Sequence, residues 1–301
     1  MSNKKIGISC AALEWRYGHK EALEICAKSG FDSVDFGLEN FGVRNEPIYQ
    51  KSDEELFDYF RSLKTRADEI GLAISQTHGR CTTYTPEEEY NEWVRWVCRR
   101  DLLATAAIGA PACVIHSITT SRWEDADAAF MHQKNKELFD YLIPYAEKYG
   151  VSIALETFGD SKAHGERVID FFGDVHELKK QYDMLDTKNK MLCMDTGHTH
   201  KAHCVKPSVL GTVDAIRYLG KDIKVLHLND NNSYSDQHLP PFYAGSEIGL
   251  VWKDIFEALD EIGYDGYYNF ELSLGYYGKL MDEAVSFLGK YLRRVVDGTL
   301  R

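Results

Sequence analysis

The 301-residue chain has no excess of basic residues: 35 lysines and arginines stand against 47 aspartates and glutamates, a formal charge of −12. Such a chain repels nucleic acid and anionic membrane surfaces on average, so neither is an expected partner, and a neutral or polyol ligand fits better. No run approaches the 18 or more apolar residues of a membrane span, and the opening MSNKKIGISC has charge but no apolar segment of signal length. Low-complexity stretches and linkers are missing as well. The seven cysteines (Cys10, Cys26, Cys81, Cys98, Cys113, Cys193, Cys204) are odd in number and share no metal-type CxxC spacing. Several lie inside apolar patterns, so they are expected to be reduced and mostly buried. The expectation is a soluble, cytoplasmic protein, which the length allows to be a single domain over residues 1–301, with a homo-oligomer left open.

Eight short apolar or β-branched runs are present: KIGISC from Lys5, DSVDFG from Asp32, LAISQTH from Leu72, ACVIHS from Ala112, VSIALE from Val151, KMLCMD from Lys190, IKVLHLND from Ile223 and GYYNFEL from Gly266. Most are continuously apolar in the middle, as strands buried on both faces must be. Helical patterns lie between them. From Ser52 to Ile70, Leu56, Phe60, Leu63, Ala67 and Ile70 recur at three- and four-residue steps, with Ser52 and Glu55 placed as a capping box. Asn135 to Lys148 repeats the pattern through Leu138, Leu142 and Tyr145. Gly30, Gly71, Gly109, Gly150 and Gly263 each sit just ahead of an apolar run, where a left-handed helix terminus turns the chain back. Strand and helix alternating eight times predict an α/β fold, a single (β/α)8 TIM barrel, with a doubly wound sheet as the alternative. The long irregular stretches are 40–50, 157–173, 199–206 and 231–249; most follow a strand, on the face where barrel enzymes build their sites.

Potential ligands and acid/base groups fall at or just after the ends of these runs: His78, His116, Glu156, Asp195, His198, His227 and Glu271. Successive run-end residues are 32 to 44 apart, about the length of one strand, one helix and two loops. Glu156, Asp195, His227 and Glu271 come from the fifth to eighth runs. Consecutive strands of a closed barrel form a half-ring, so these four side chains can converge on one cation. Three carboxylates and an imidazole suit Mn²⁺ first, with Mg²⁺, Co²⁺ or Zn²⁺ as alternatives. A lone strand-end acid more often caps the next helix or pairs with a lysine; four at matching positions favour the metal, because charged groups rarely end buried apolar runs without a partner. His198 follows Asp195 by three residues, so a turn can direct both toward one cavity. His200 and His203 lie further out and are expected to be solvated. Trp15 can pack on an apolar face of a ligand or cap the barrel, and Asp35 can meet substrate, cap a helix or form a salt bridge.

The segments ALETFGD, MDTGH, LHLND and NFEL, with DQHLPP and Trp252 further along, resemble the xylose-isomerase-like barrels, in particular sugar isomerases and epimerases. The resemblance runs over essentially the whole chain. It implies that Glu156, Asp195, His227 and Glu271 hold the metal, that Glu156 and Glu271 are the acid/base pair, and that His198 binds or polarises substrate. A metal-bound carbonyl acidifies the adjacent C–H by stabilising an enediolate, which one carboxylate can generate and another can quench. Quenching at the same carbon from the opposite face epimerises; quenching at the neighbouring carbon isomerises.

His78, His116, Asp236 and His238 complete a set resembling the nine residues of the type IV AP endonucleases, which share the fold and hold three zinc ions. On an acidic chain without evident basic clusters, binding substrate hydroxyls or supporting the carboxylates is the expected role of these residues. An endonuclease-like phosphodiesterase and a keto-inositol dehydratase remain the alternatives to a sugar isomerase or epimerase; a non-catalytic sugar-binding module is disfavoured, since two opposed buried carboxylates are not needed to hold a polyol. Ketohexose 3-epimerases carry a Glu and an Arg where this chain has Lys162 and Ser233, which argues against a simple free ketohexose. The 157–173 stretch, with Phe158, Lys162, His164 and Arg167, is expected to close over a different or larger substrate, Lys162 or Arg167 being candidates to meet an acid or phosphate group.

Overall fold

The computed structural model describes residues 4–39, 41, 47–81, 84–119, 126–163, 165–245 and 249–300. In chain order its elements are β1 (Ile6–Ser9), α1 (Ala11–Tyr17), α2 (His19–Lys28), β2 (Ser33–Gly37), α3 (Asp53–Glu69), β3 (Ala73–His78), α4 (Glu88–Ile108), β4 (Ala112–Val114), α5 (Ala128–Tyr149), β5 (Ser152–Glu156), β6 (Asp160–Ala163), β7 (Glu166–Ile169), α6 (Val175–Met184), β8 (Lys190–Asp195), α7 (Thr196–Val205), α8 (Thr212–Leu219), β9 (Ile223–His227), α9 (Trp252–Glu261), β10 (Tyr268–Phe270) and α10 (Met281–Val296).

Eight strands pair in parallel in the order β10-β1-β2-β3-β4-β5-β8-β9. A parallel bridge between Leu228 and Phe270, with Leu228 N donating to Asn269 O and Glu271 N to Leu228 O, joins the two ends of the sheet. That closure makes the fold a (β/α)8 barrel and rules out the open doubly wound sheet. Between strands and helices lies one continuous apolar core, while a small cluster of Ala112, Val114, Ala154, Cys193 and Val225 is separate from it.

Local chemistry explains the repeated turns. The Ser52 hydroxyl accepts from Glu55 N at 3.1 Å and Ser52 N donates to Glu55 Oε2 at 3.0 Å, so the expected capping box starts α3. Gly30, Gly71, Gly109, Gly150 and Gly263 all have positive φ, between 70° and 84°, which costs any residue with a Cβ. Helix α5 begins at Ala128, seven residues before the expected Asn135, because Asp127 caps it by accepting from Phe130 N.

Two of the expected irregular stretches are ordered. Thr196–Val205 form α7, and Asp160–Ala163 pair antiparallel with Glu166–Ile169 as β6 and β7. Within 40–50, Pro47–Gln50 make a 3₁₀ turn, whereas residues 40 and 42–46 lie outside the described residues. His164, and residues 246–248 of the 231–249 stretch, also lie outside them. Among the described residues no helix is long and apolar enough to cross a membrane.

Candidate active site

Four consecutive barrel strands deliver the four strand-end side chains to one point. Glu156, Asp195 and His227 are the last residues of β5, β8 and β9, and Glu271 follows β10 directly. One ligand atom from each lies within 4.8 Å of the others. Glu156, Asp195 and His227 are buried and Glu271 is nearly so. His227 Nδ1 is 2.8 Å from Glu156 Oε1 and 3.2 Å from Glu271 Oε2.

The MDTGH and LHLND segments lock together to hold Asp195. Its Oδ1 accepts from His198 N at 2.6 Å, capping α7, and its Oδ2 accepts from Asn229 Nδ2 at 2.8 Å. Capping is therefore one of its roles, and the helix-cap reading of this acid holds beside the convergence with the other three. The Thr196 hydroxyl donates to Asn229 O and accepts from Asn229 N. Position 197 must be glycine, since a Cβ there would lie 2.0 Å from Asn229 Oδ1. Further along, Asp230 accepts from the Trp252 indole N–H and from Leu250 N, which anchors the chain leaving β9.

The outer nitrogen of His227 meets a partner that sequence reasoning left undecided. Asp35, fully buried at the middle of β2, places Oδ2 3.0 Å from His227 Nε2. Of the three roles open to Asp35, this geometry is the ion pair.

Charge at the cluster follows from these contacts. Burial works against an imidazolium at His227, yet the nearby Glu271 and Glu156 carboxylates and the Asp35 hydrogen bond outweigh it and hold the ring well above the usual histidine range. Burial likewise opposes ionised Glu156 and Glu271, but His227 and His116 pull Glu156 well below the carboxylate range, and His227, His238 and His78 pull Glu271 below it. Asp195 moves upward because burial dominates there.

The flanking residues surround this point. His78 Nε2 is 3.6 Å from Glu271 Oε1, and its ring stacks on His227 with centroids 5.1 Å apart. His116, just past β4, has Nε2 2.8 Å from Glu156 Oε2. His198 Nε2 and His238 Nε2 lie 3.2 and 3.3 Å from Asp236 Oδ2. His198, expected on a loop, occupies the first turn of α7; Asp195 supplies the cap that the run of Thr and His residues hides. His203 bonds Val209 O instead of facing water alone. Trp15 is on α1 and 80% exposed, so it does not cap the barrel; it borders a cavity that also reaches Glu271 and His238. Arg167 is not open to a substrate anion: its Nε is 2.7 Å from Asp160 Oδ2 and its guanidinium donates to Ser233 O. Lys162 is exposed on β6.

Cys81 was not anticipated at the site. Its thiol can share a cation with His78 and His116, with ligand atoms again within 4.8 Å. The His78-x-x-Cys81 spacing is the signal that could have found it. As expected, the cysteines are free and five are buried; Cys81 and Cys204 are exposed.

The histidines carry a pH signature. Burial opposes the charged form of His78 and His238, yet their surroundings, Cys81, Glu271 and Glu39 for His78 and Glu271 and Asp236 for His238, raise both to about 9. A histidine raised from 6.5 when folded contributes stability that is complete below about pH 6.5 and lost as pH climbs through about 9. Chelator-treated protein is therefore expected to melt at progressively lower temperature from pH 7 to pH 9, and His238→Gln is expected to flatten the slope. A melting temperature rising over that range would contradict this assignment.

Fold and site together define a (β/α)8 barrel whose C-terminal face carries a buried set of side chains suited to a divalent cation. The chain belongs to the xylose isomerase-like TIM barrel family, which it matches over residues 23–291. An uncharacterised protein of Methanocaldococcus jannaschii is 26% identical over 190 residues, 60% of this chain and 58% of the relative, so the match spans under two thirds of that relative's length. Similar solved structures include a D-tagatose 3-epimerase-like protein (TM-score 0.70, 19% identity, 99% of this chain and 100% of that one). A 3-keto-D-glucoside 4-epimerase from E. coli (TM-score 0.69, 16%, 97% and 99%) and the IolI protein with a bound zinc atom (TM-score 0.69, 18%, 98% and 99%) are comparably similar.

Proposed function

We propose that the protein is a metal-dependent isomerase or epimerase of a sugar or sugar derivative. The observation that carries this reading is the convergence of Glu156, Asp195, His227 and Glu271 from four consecutive strands. The residues fit a divalent ion. Three carboxylates this close and this buried repel one another without a cation, and Glu156 Oε2, though 2.8 Å from His116 Nε2, lacks hydrogen-bond geometry. The donor set is hard oxygen with one imidazole, which favours Mn²⁺, with Mg²⁺, Co²⁺ and Zn²⁺ next. The epimerases among the similar folds, and the zinc in IolI, support the same class.

When bound, the ion would supply the positive charge that makes a C–H beside a carbonyl acidic enough to lose its proton. The chain supplies the rest. Glu156 and Glu271 are the acid/base pair: one takes the proton from carbon, and the other, reaching the substrate from a different strand, delivers a proton. His198, fixed on α7 with Nδ1 on Thr157 O, would bond a substrate oxygen through Nε2 in place of its contact with Asp236, and His78, His116, Asp236 and His238 would bind substrate beside it. Trp15 offers an apolar face at the rim.

The test is a purified protein containing one divalent ion per chain, with solvent deuterium appearing at the carbon next to the carbonyl when ketoses are turned over in heavy water. Turnover without deuterium uptake would point to a hydride shift and remove the carboxylate mechanism. The competing phosphodiesterase reading predicts three zinc ions and cleavage of duplex DNA at an abasic site. We expect neither, because the chain's charge is −12 and because Lys201 Nζ already stands 3.4 Å from Asp236 Oδ1, a fixed cation beside one candidate ligand.

A further inference from the structure

A cavity of about 700 Å³ opens beside the cluster, with Glu271 and His238 at its inner end and α1, Glu39 and the 3₁₀ stretch Leu274–Leu280 as its walls. That volume is in the upper part of the roughly 300–1,000 Å³ range that encloses drug-sized ligands, and a free hexose is much smaller. Size alone decides little, but the lining has a particular chemistry. Trp15 and Tyr276 are 80% and 71% exposed and border this one cavity from separate segments of the chain. One exposed aromatic side chain needs no explanation; two bordering the cavity that leads to the reacting centre supply flat apolar surfaces of the kind that cover the C–H face of a pyranose.

Glu271 and His238 are engaged with neighbouring side chains, but two further polar groups in the same cavity are not. Glu39 Oε2 is buried with no hydrogen-bond partner among the described residues, 3.8 Å from His78 Nδ1 and so beyond bonding distance. A buried carboxylate oxygen without a donor is costly, and a sugar hydroxyl would satisfy it. Arg16 also lines the cavity and forms no ion pair among the described residues. The two carboxylates Glu39 and Glu271, with Arg16 and His238 beside them, mix both signs in the same space and suit a neutral polyhydroxylated group better than an anion.

We infer that the substrate is larger than a single sugar: a glycoside or disaccharide whose second ring lies between Trp15 and Tyr276 and donates a hydroxyl to Glu39, while the reacting sugar sits at Glu156 and Glu271. The inference rests on the isomerase reading and deepens it. It also accounts for the absence of the free-ketohexose pattern at Lys162 and Ser233.

The experiment is calorimetric titration of the Mn²⁺-loaded protein with D-fructose and with two ketose disaccharides, lactulose and isomaltulose. At least one disaccharide is expected to bind ten or more times tighter than fructose. Trp15→Ala, Tyr276→Ala and Glu39→Gln are each expected to shrink that preference to within about threefold, whereas Trp15→Phe and Tyr276→Phe retain most of it. Equal affinity for the monosaccharide and both disaccharides, or a preference that survives both alanine variants, overturns the inference. If fructose takes up solvent deuterium and the disaccharides gain nothing, this inference alone fails. If no sugar binds or exchanges deuterium, the isomerase reading fails and takes the inference with it.

Discussion

Glu156→Gln and Glu271→Gln should each lower turnover by several orders of magnitude with a substrate that the unaltered protein converts. Glutamine keeps the shape of the side chain but removes a proton acceptor and a negative charge from the proposed cation site at once. Loss of acid/base assistance by itself costs roughly 10²- to 10⁴-fold, so a larger drop is the signature of both functions residing in one carboxylate. The two variants should also differ in kind. Glu156 is buried and contacts His227 and His116, so its loss takes from His116 its carboxylate partner and from His227 one of three. Glu271 is reached by His227, His238 and His78 and also borders the large cavity, so its variant should retain metal better while remaining inactive. Metal content and initial rate measured on the same preparations check this, and a near-normal rate in both variants would exclude the two-glutamate mechanism.

Much of this site is legible in the sequence because a barrel converts spacing into geometry. Once runs about one β/α unit apart are taken as parallel strands, the residue that ends each run must lie on the C-terminal rim, and Glu156, Asp195, His227 and Glu271 needed nothing further to be brought together. The fold's period likewise exposes the glycine turns. Elements whose stability comes from tertiary contact are harder to see. Helix α7 is built from Thr, His and Gly residues of poor helical propensity; it exists because Asp195 caps it and because Thr196 and Thr199 bond within the site. The β6–β7 hairpin is too short and too polar to announce itself, and is tied down by Arg167 and Asp160 and by Lys201 reaching Asp160. Asp35, Glu39 and Cys81 belong to the site through contacts between segments distant in sequence: Asp35 could be named as a candidate but its role could not be chosen, and Glu39 and Cys81 looked ordinary in their own segments.

Asp35 is where that cross-barrel contact should be felt most after the four converging residues themselves. For His227 to offer Nδ1 to a cation, its proton must sit on Nε2, and Asp35 Oδ2 at 3.0 Å is the acceptor that keeps it there. The carboxylate has no donor of its own with which to stabilise the other tautomer. An asparagine at 35 does: its amide can turn and donate to Nε2, which would send the ring proton to Nδ1, the nitrogen proposed to face the ion. Partners behind a ligating histidine commonly contribute about 10- to 100-fold to metal affinity, and Asp35→Asn is expected to lose affinity in that range. Competition against a fluorescent chelator measures it directly. A merely structural role would lower the melting temperature of the chelator-treated protein and leave metal affinity within about threefold of the original; the positioning role predicts weaker metal binding that steepens with falling pH, since the misplaced proton must leave before the ion can bind.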